Sequence, residues 1–288
     1  MGLLPMDGRA FIKLTDRFPT HLRIAPIDVD EGMPLPELPA PNPRWALFLD
    51  VDGTLIEIAK TPKEVCVEPE VRTTLRRLSD AFNGAVALVS GRPIETIDQL
   101  FQPLHLPTAG LHGIEVRNAA DATYRVSNNG SSLKKIRETL EQFAKKAPGV
   151  LLEDKGTTLA LHYRQAPERE EEAKALLADL LATHDGGYHC LHGKMVLEVK
   201  PSGINKGKAV EHLLTEAPFA GRIPVFIGDD VTDEDGFATV NRLGGHSIRV
   251  GENGKTVATF RIESVRQLRA WLVGLSEAIL AGTEAAKG

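Results

Sequence analysis

Asp50 and Asp52 end the stretch ALFLDVDGTL, residues 46–55, where an apolar run stops abruptly at two carboxylates with one residue between them. A carboxylate so placed can attack a phosphoryl group. A second, two positions on, can protonate a leaving oxygen and later activate water. Gly53 lets the backbone turn tightly enough for both to face one point. Two further apolar runs end in polar groups: AVALVSGR at Ser90, Gly91 and Arg92, and IPVFIGDD at Asp229 and Asp230, with Asp233 close behind. Lys206 opens the helical pattern NKGKAVEHLL. A serine hydroxyl and a lysine ammonium can hold non-bridging phosphate oxygens. Several carboxylates converging on one lysine repel each other unless a cation joins them. A hard divalent ion with oxygen ligands, most simply Mg²⁺, meets that need.

Each group has a plainer reading when taken alone. A lone DxD is a turn or cap, SGR before proline is a helix start, and GDD with TDED is an acidic cap on a helix dipole. Their occurrence in order, each at a strand end or a helix start, favours the joint reading.

The elements that must position these groups are legible as alternation. From Trp45 near-continuous apolar strands alternate with helical patterns near 69–82 and 93–101; the rhythm returns after residue 203 and closes on a helix near 264–274. Such alternation predicts an α/β fold with a doubly wound parallel sheet, with ligands beyond the carboxyl ends of its strands. The middle differs: SLKKIRETLEQFAKKA and PEREEEAKALLADLLATH read as helices, each followed by two strands. Period two puts Met195, Leu197 and Val199 on one face and Lys194, Val196, Glu198 and Lys200 on the other. Leu159, Leu161 and Tyr163 likewise oppose Ala160, His162 and Arg164. The expected organisation is a proline-rich tail and linker over 1–44, a core over 45–126 and 204–275, an inserted α/β cap over 127–203, and a C-terminal tail over 276–288. NNGSS and KPSGI mark the joints, near 127–130 and 200–204.

Composition bounds the rest. A formal charge of −5 gives no reason to expect a nucleic-acid partner. No apolar run approaches the roughly 20 residues of a membrane span, and no secretory pattern opens the chain, so the cytoplasm is the expected address. Cys66 and Cys190 are expected to be reduced packing residues. A monomer or weak oligomer is expected.

DVDGTL, SGR, NKGKAV and GDDVTDEDGF resemble the four motifs of the haloacid dehalogenase phosphatase superfamily. The finer resemblance is to trehalose-6-phosphate phosphatases of the bacterial type. It runs from Trp45 to about residue 275 and is most specific in LEDKGTTLALHYR, GKMVLEVKPSGINKGKAV and GRIPVFIGDDVTDEDGFATVNRLGG. It implies a Mg²⁺-dependent phosphatase acting through an aspartyl-phosphate, with Asp50 as nucleophile and Asp52 as general acid and base. Ser90, Gly91 and Lys206 would hold the phosphate. Asp50, the Asp52 main-chain carbonyl and Asp229 would hold the metal, supported by Asp230 and Asp233. Glu153, Arg164, Lys194 and Glu198 match cap positions that recognise the sugar, trehalose 6-phosphate. Sucrose 6-phosphate as substrate, a mutase, or a non-catalytic sugar-phosphate sensor are the alternatives. His112 and His162 could contact a sugar, although neutral packing is the commoner use of such residues.

Overall fold

A computed structural model of the chain describes residues 37–58, 65–125, 131–183, 187–193, 195–251 and 254–285. Residues 1–36 of the expected tail, the first expected joint at 127–130 and Lys194 lie outside the described residues. The chain divides into two units, Met1–Arg125 with Asn205–Gly288, and Val126–Ile204.

The larger unit begins with β1 (Trp45–Leu49), whose five apolar residues are all buried. Burial on both faces is the mark of a central parallel strand. Helix α1 (Pro69–Ala81) starts with proline at its first position and buries Val71, Leu75 and Leu78 along one stripe. β2 (Val86–Val89), α2 (Ile94–Phe101) and β3 (Thr108–Gly110) follow. β4 (Glu115–Arg117) and β5 (Thr123–Arg125) are three-residue strands, β4 pairing antiparallel with β3 and β5 antiparallel with β4.

The smaller unit contains α3 (Ser131–Lys146), β6 (Leu151–Asp154), β7 (Leu159–His162), α4 (Glu170–Ala182), β8 (Tyr188–Gly193) and β9 (Val196–Pro201). Its strands pair antiparallel in the order β6-β7-β9-β8. Leu159, Leu161, Tyr163, Leu197 and Val199 form one core with Leu133, Ile136 and Leu140 of α3 and Ala173 and Leu177 of α4. β7 ends at His162, so Arg164, expected on the polar face of that strand, lies instead in the exposed turn beyond it. Lys200, on the expected polar face, is buried.

The larger unit resumes with α5 (Lys206–Leu213), β10 (Ile223–Gly228), α6 (Glu234–Arg242), β11 (His246–Val250), β12 (Phe260–Ile262) and α7 (Val265–Ala285). Its sheet has the order β12-β11-β10-β1-β2-β3-β4-β5, parallel from β12 to β3. β1 sits between the two halves of the winding, flanked by β2 and β10. That is the topological switch point of a doubly wound sheet.

Three expectations need correction. The last helix does not end near 274: it runs to Ala285, and Ser276 and Ile279 are buried, so this stretch is no tail. Cys66 is exposed and packs in no core, whereas Cys190 packs against the smaller unit's core. The linker's last residues are tied down: the Ile223 amide donates to Arg44 O (3.0 Å), Arg222 Nη1 donates to Pro43 O (3.1 Å), and Leu38 packs on the larger core.

Candidate active site

The switch point brings two acidic strand ends side by side. β1 and β10 run parallel, Leu49 opposite Ile227, and the Asp50 amide donates to Ile227 O at 2.9 Å. Asp50 follows the last residue of β1 and Asp229 the last of β10. Gly53 makes the approach possible. Its φ is +82°, and a Cβ there would stand 2.1 Å from Asp229 Oδ2. Thr54 Oγ1 donates to Asp229 Oδ1 at 3.2 Å.

Asp233, fully buried, organises the second strand end. Its Oδ2 accepts from the amides of Asp229 (3.1 Å) and Asp230 (3.0 Å), and its Oδ1 accepts from Lys206 Nζ (2.7 Å). Asp230 is exposed and caps a short 3₁₀ turn, accepting from the Val231 amide. Lys206 is the first residue of α5, whose N-terminus is capped by the Asn205 side chain accepting from the Lys208 amide. The Lys206 ammonium also donates to Asp50 Oδ1 at 2.7 Å, so it bridges the two carboxylates.

Asp50, Asp229 and Asp233 each offer one carboxylate oxygen, and these oxygens lie within 4.8 Å of one another. Burial pushes the Asp50 carboxyl well above its ordinary range. Lys206 opposes that rise, while Asp233 and Asp229 add to it. Asp229 is pushed up to about 6, by burial first and then by Asp233 and Asp230. Burial alone would lower the Lys206 ammonium, but Asp233 and Asp50 outweigh it and hold the lysine charged. Three carboxylates against one ammonium leave the cluster short of positive charge, and every remaining donor atom is oxygen. That donor set fits a hard divalent cation such as Mg²⁺.

Asp52 is held apart from the cluster by an unforeseen partner. Arg92 Nε donates to its Oδ2 at 2.6 Å and Arg92 Nη2 to its Oδ1 at 2.7 Å, a bidentate pair. Ser90, at the end of β2, is buried; its Oγ accepts from the Arg92 amide (3.1 Å) and retains its proton to donate. Its carbonyl accepts from the His112 amide at 2.9 Å. His112 packs against Gly91, where a Cβ would meet the imidazole Nε2 at 2.7 Å. A side chain at 91 would therefore have to displace the His112 ring.

In the smaller unit Glu153 and Glu198 face the same way, each paired across the sheet with Ala160 between them. Glu153 Oε2 lies 2.9 Å from His162 Nε2, and Lys155 Nζ lies 3.4 Å from Glu198 Oε1. His162 joins this face by register, and Lys155, just past the end of β6, joins it through its contact with Glu198. Arg164 does not belong to the sheet, and Lys194 lies outside the described residues.

Comparison with known proteins places these features in a family. The trehalose-phosphatase family profile matches residues 48–267. A protein of Sinorhizobium fredii described as a probable trehalose-phosphate phosphatase is 46% identical over 208 residues, 72% of this chain and 78% of its own. The trehalose-6-phosphate phosphatase of Escherichia coli is 42% identical over 246 residues, 85% of this chain and 92% of its own. Among solved structures, the C-terminal domain of the C. albicans trehalose-6-phosphate phosphatase superposes with a TM-score of 0.72 at 23% identity, covering 81% of this chain and 92% of that one. A trehalose-6-phosphate phosphatase related protein gives 0.67 at 25% identity, covering 82% and 99%. With its strand-end carboxylates, bridging lysine and doubly wound sheet, the chain belongs to the trehalose-phosphatase family of phosphoric monoester hydrolases.

Proposed function

We propose that the chain hydrolyses trehalose 6-phosphate to trehalose and phosphate through an aspartyl-phosphate on Asp50. The observation that carries the reading is the buried Asp50 carboxylate, bonded to Lys206 and gathered with Asp229 and Asp233. Relatives named for this activity support the substrate.

Ser90 and Lys206 hold the non-bridging phosphate oxygens, with the Gly91 backbone beside them. Asp50 Oδ attacks phosphorus as the bond to the sugar oxygen breaks, and Asp52 gives that oxygen a proton. Asp52 then takes a proton from water as the water attacks phosphorus, which releases phosphate and restores Asp50. Arg92 bonds to each oxygen of Asp52, so Asp52 exchanges its proton at the lone pairs that the guanidinium leaves open. The Asp50 and Asp229 carboxylates and the Asp52 main-chain carbonyl would hold Mg²⁺, with Asp230 and Asp233 in support. Once bound, the cation supplies the positive charge that the cluster lacks and that phosphoryl transfer requires.

Residues 45–126 and 204–285 act as the catalytic core, and 127–203 as the cap. The core recognises only groups common to all phosphate esters, so choice among sugars falls to Glu153, Arg164, Lys194 and Glu198. No described helix is long and apolar enough to cross a membrane, and we place the protein in the cytoplasm, as a monomer or weak oligomer. The test is phosphate release from trehalose 6-phosphate beside sucrose 6-phosphate and glucose 6-phosphate. Preference for the first supports the reading, and equal rates on all three contradict it.

A further inference from the structure

The four-stranded sheet of the smaller unit carries a polar contact that its register brings within reach. In the antiparallel ladder Leu151 lies opposite His162 and Glu153 opposite Ala160. Glu153 and His162 are therefore diagonal neighbours on the face turned away from Leu159 and Leu161, within reach of long side chains. Their contact is direct, His162 Nε2 to Glu153 Oε2 at 2.9 Å. The two side chains are 33% and 41% exposed, so packing alone fixes neither. A glutamate on such a surface keeps several rotamers, and ordering it on binding costs entropy.

An imidazole Nε2–H donates to a carboxylate whether the ring is neutral or protonated. The hydrogen bond from His162 outweighs burial and holds the Glu153 carboxyl below its ordinary range, in the acceptor-only form. With Oε2 taken by the ring, Oε1 remains to accept from a ligand. Glu198 has a comparable arrangement on the far side of Ala160, where Lys155 lies 3.4 Å from its carboxylate.

We propose that His162 is a positioning residue for sugar recognition, fixing Glu153 so that Oε1 is presented to a sugar hydroxyl. The inference rests on the reading that this face of the smaller unit recognises the sugar. His162 touches neither the phosphate nor the reacting atoms in this account. Its removal should therefore weaken binding of the sugar and leave the chemistry unchanged.

The experiment uses the full chain and compares wild type, His162→Ala, His162→Gln, Glu153→Ala and the double alanine variant. KM and kcat are measured on trehalose 6-phosphate and on p-nitrophenyl phosphate, which has no sugar. His162→Ala should raise KM for trehalose 6-phosphate about three- to tenfold, the range of one hydrogen bond. Its kcat, and its rate on p-nitrophenyl phosphate, should stay within about twofold of wild type. Glutamine, which keeps a donor, should recover most of the loss. The double variant should be no worse than Glu153→Ala alone. Unchanged KM in His162→Ala with a clear loss in Glu153→Ala overturns the inference and leaves the sugar-face reading standing. An unchanged KM in Glu153→Ala removes that reading and the inference with it. Equal losses on both substrates, or additive losses in the double variant, assign His162 to the fold or to independent contact and also overturn it.

Discussion

Arg92 grips Asp52 through both carboxylate oxygens, at 2.6 and 2.7 Å, across forty residues of sequence. The guanidinium fork fixes the plane of the carboxylate as well as its place, which a lysine ammonium cannot do. Arg92→Ala should lower kcat on trehalose 6-phosphate about tenfold or more, the cost of losing a bond to a charged group. Arg92→Lys should restore little of it. Steady-state kinetics on the two variants decides the matter, and a wild-type rate in Arg92→Ala would show that Asp52 needs no holding.

The acidic cluster ties stability to pH. Asp229 is pushed up to about 6 in the fold against its ordinary 3.8, and burial raises Asp50 as well. A carboxyl raised on folding binds more protons in the native state than in the unfolded one. Its contribution to stability is therefore full at low pH and is lost as pH rises from about 4 through about 6. A divalent cation must displace those protons, so it stabilises more where they are already gone. Mg²⁺ should raise the melting temperature of the metal-free protein more at about pH 7.5 than at about pH 5. An equal shift at both values would mean that the cation binds elsewhere.

Gly53 gives a structural test of the same cluster. Alanine there meets both a φ of +82° and a Cβ position 2.1 Å from Asp229 Oδ2. The backbone term alone costs about 1–2 kcal/mol, and the collision must displace Asp229. Gly53→Ala should melt lower than wild type and lose most of the Mg²⁺-induced shift. A normal metal response in that variant would show that Asp229 is no ligand.

The polar strand ends were legible in the sequence because each is written locally. An apolar run that stops at Asp50, Ser90 or Asp229 announces both the strand and what lies beyond it. The Arg92–Asp52 pair was not legible, since it depends on how β1 and β2 lie side by side. The Glu153–His162 contact needed a register that period two alone does not supply. β5 was missed because three residues are too few to show alternation. The last helix was cut short because Gly274 and Gly282 with several alanines weaken its apolar stripe, although Ile279 is buried. Arg164 was placed on a strand face by continuing the alternation two residues past the strand's end at His162.

Specificity is separable from chemistry in this account. Glu198, 14% exposed, is engaged by Lys155, and Arg164 is exposed beyond β7. Glu198→Ala or Arg164→Ala should lower kcat/KM on trehalose 6-phosphate roughly tenfold to a hundredfold, the range for a bond to a charged group. Both variants should retain hydrolysis of p-nitrophenyl phosphate. Parallel losses on the two substrates would place these residues in the fold or the core chemistry.

The central claim is that Asp50 itself carries the phosphoryl group, and acid quenching during turnover of trehalose 6-phosphate tests it most directly. Mass spectrometry of the quenched protein should find one phosphoryl group on the peptide containing Asp50. That adduct should vanish in Asp50→Asn and when EDTA is added, together with phosphate release, while the Asn variant stays folded because it removes a buried charge. Undiminished phosphate release by Asp50→Asn, or an adduct found on another residue, would contradict the account.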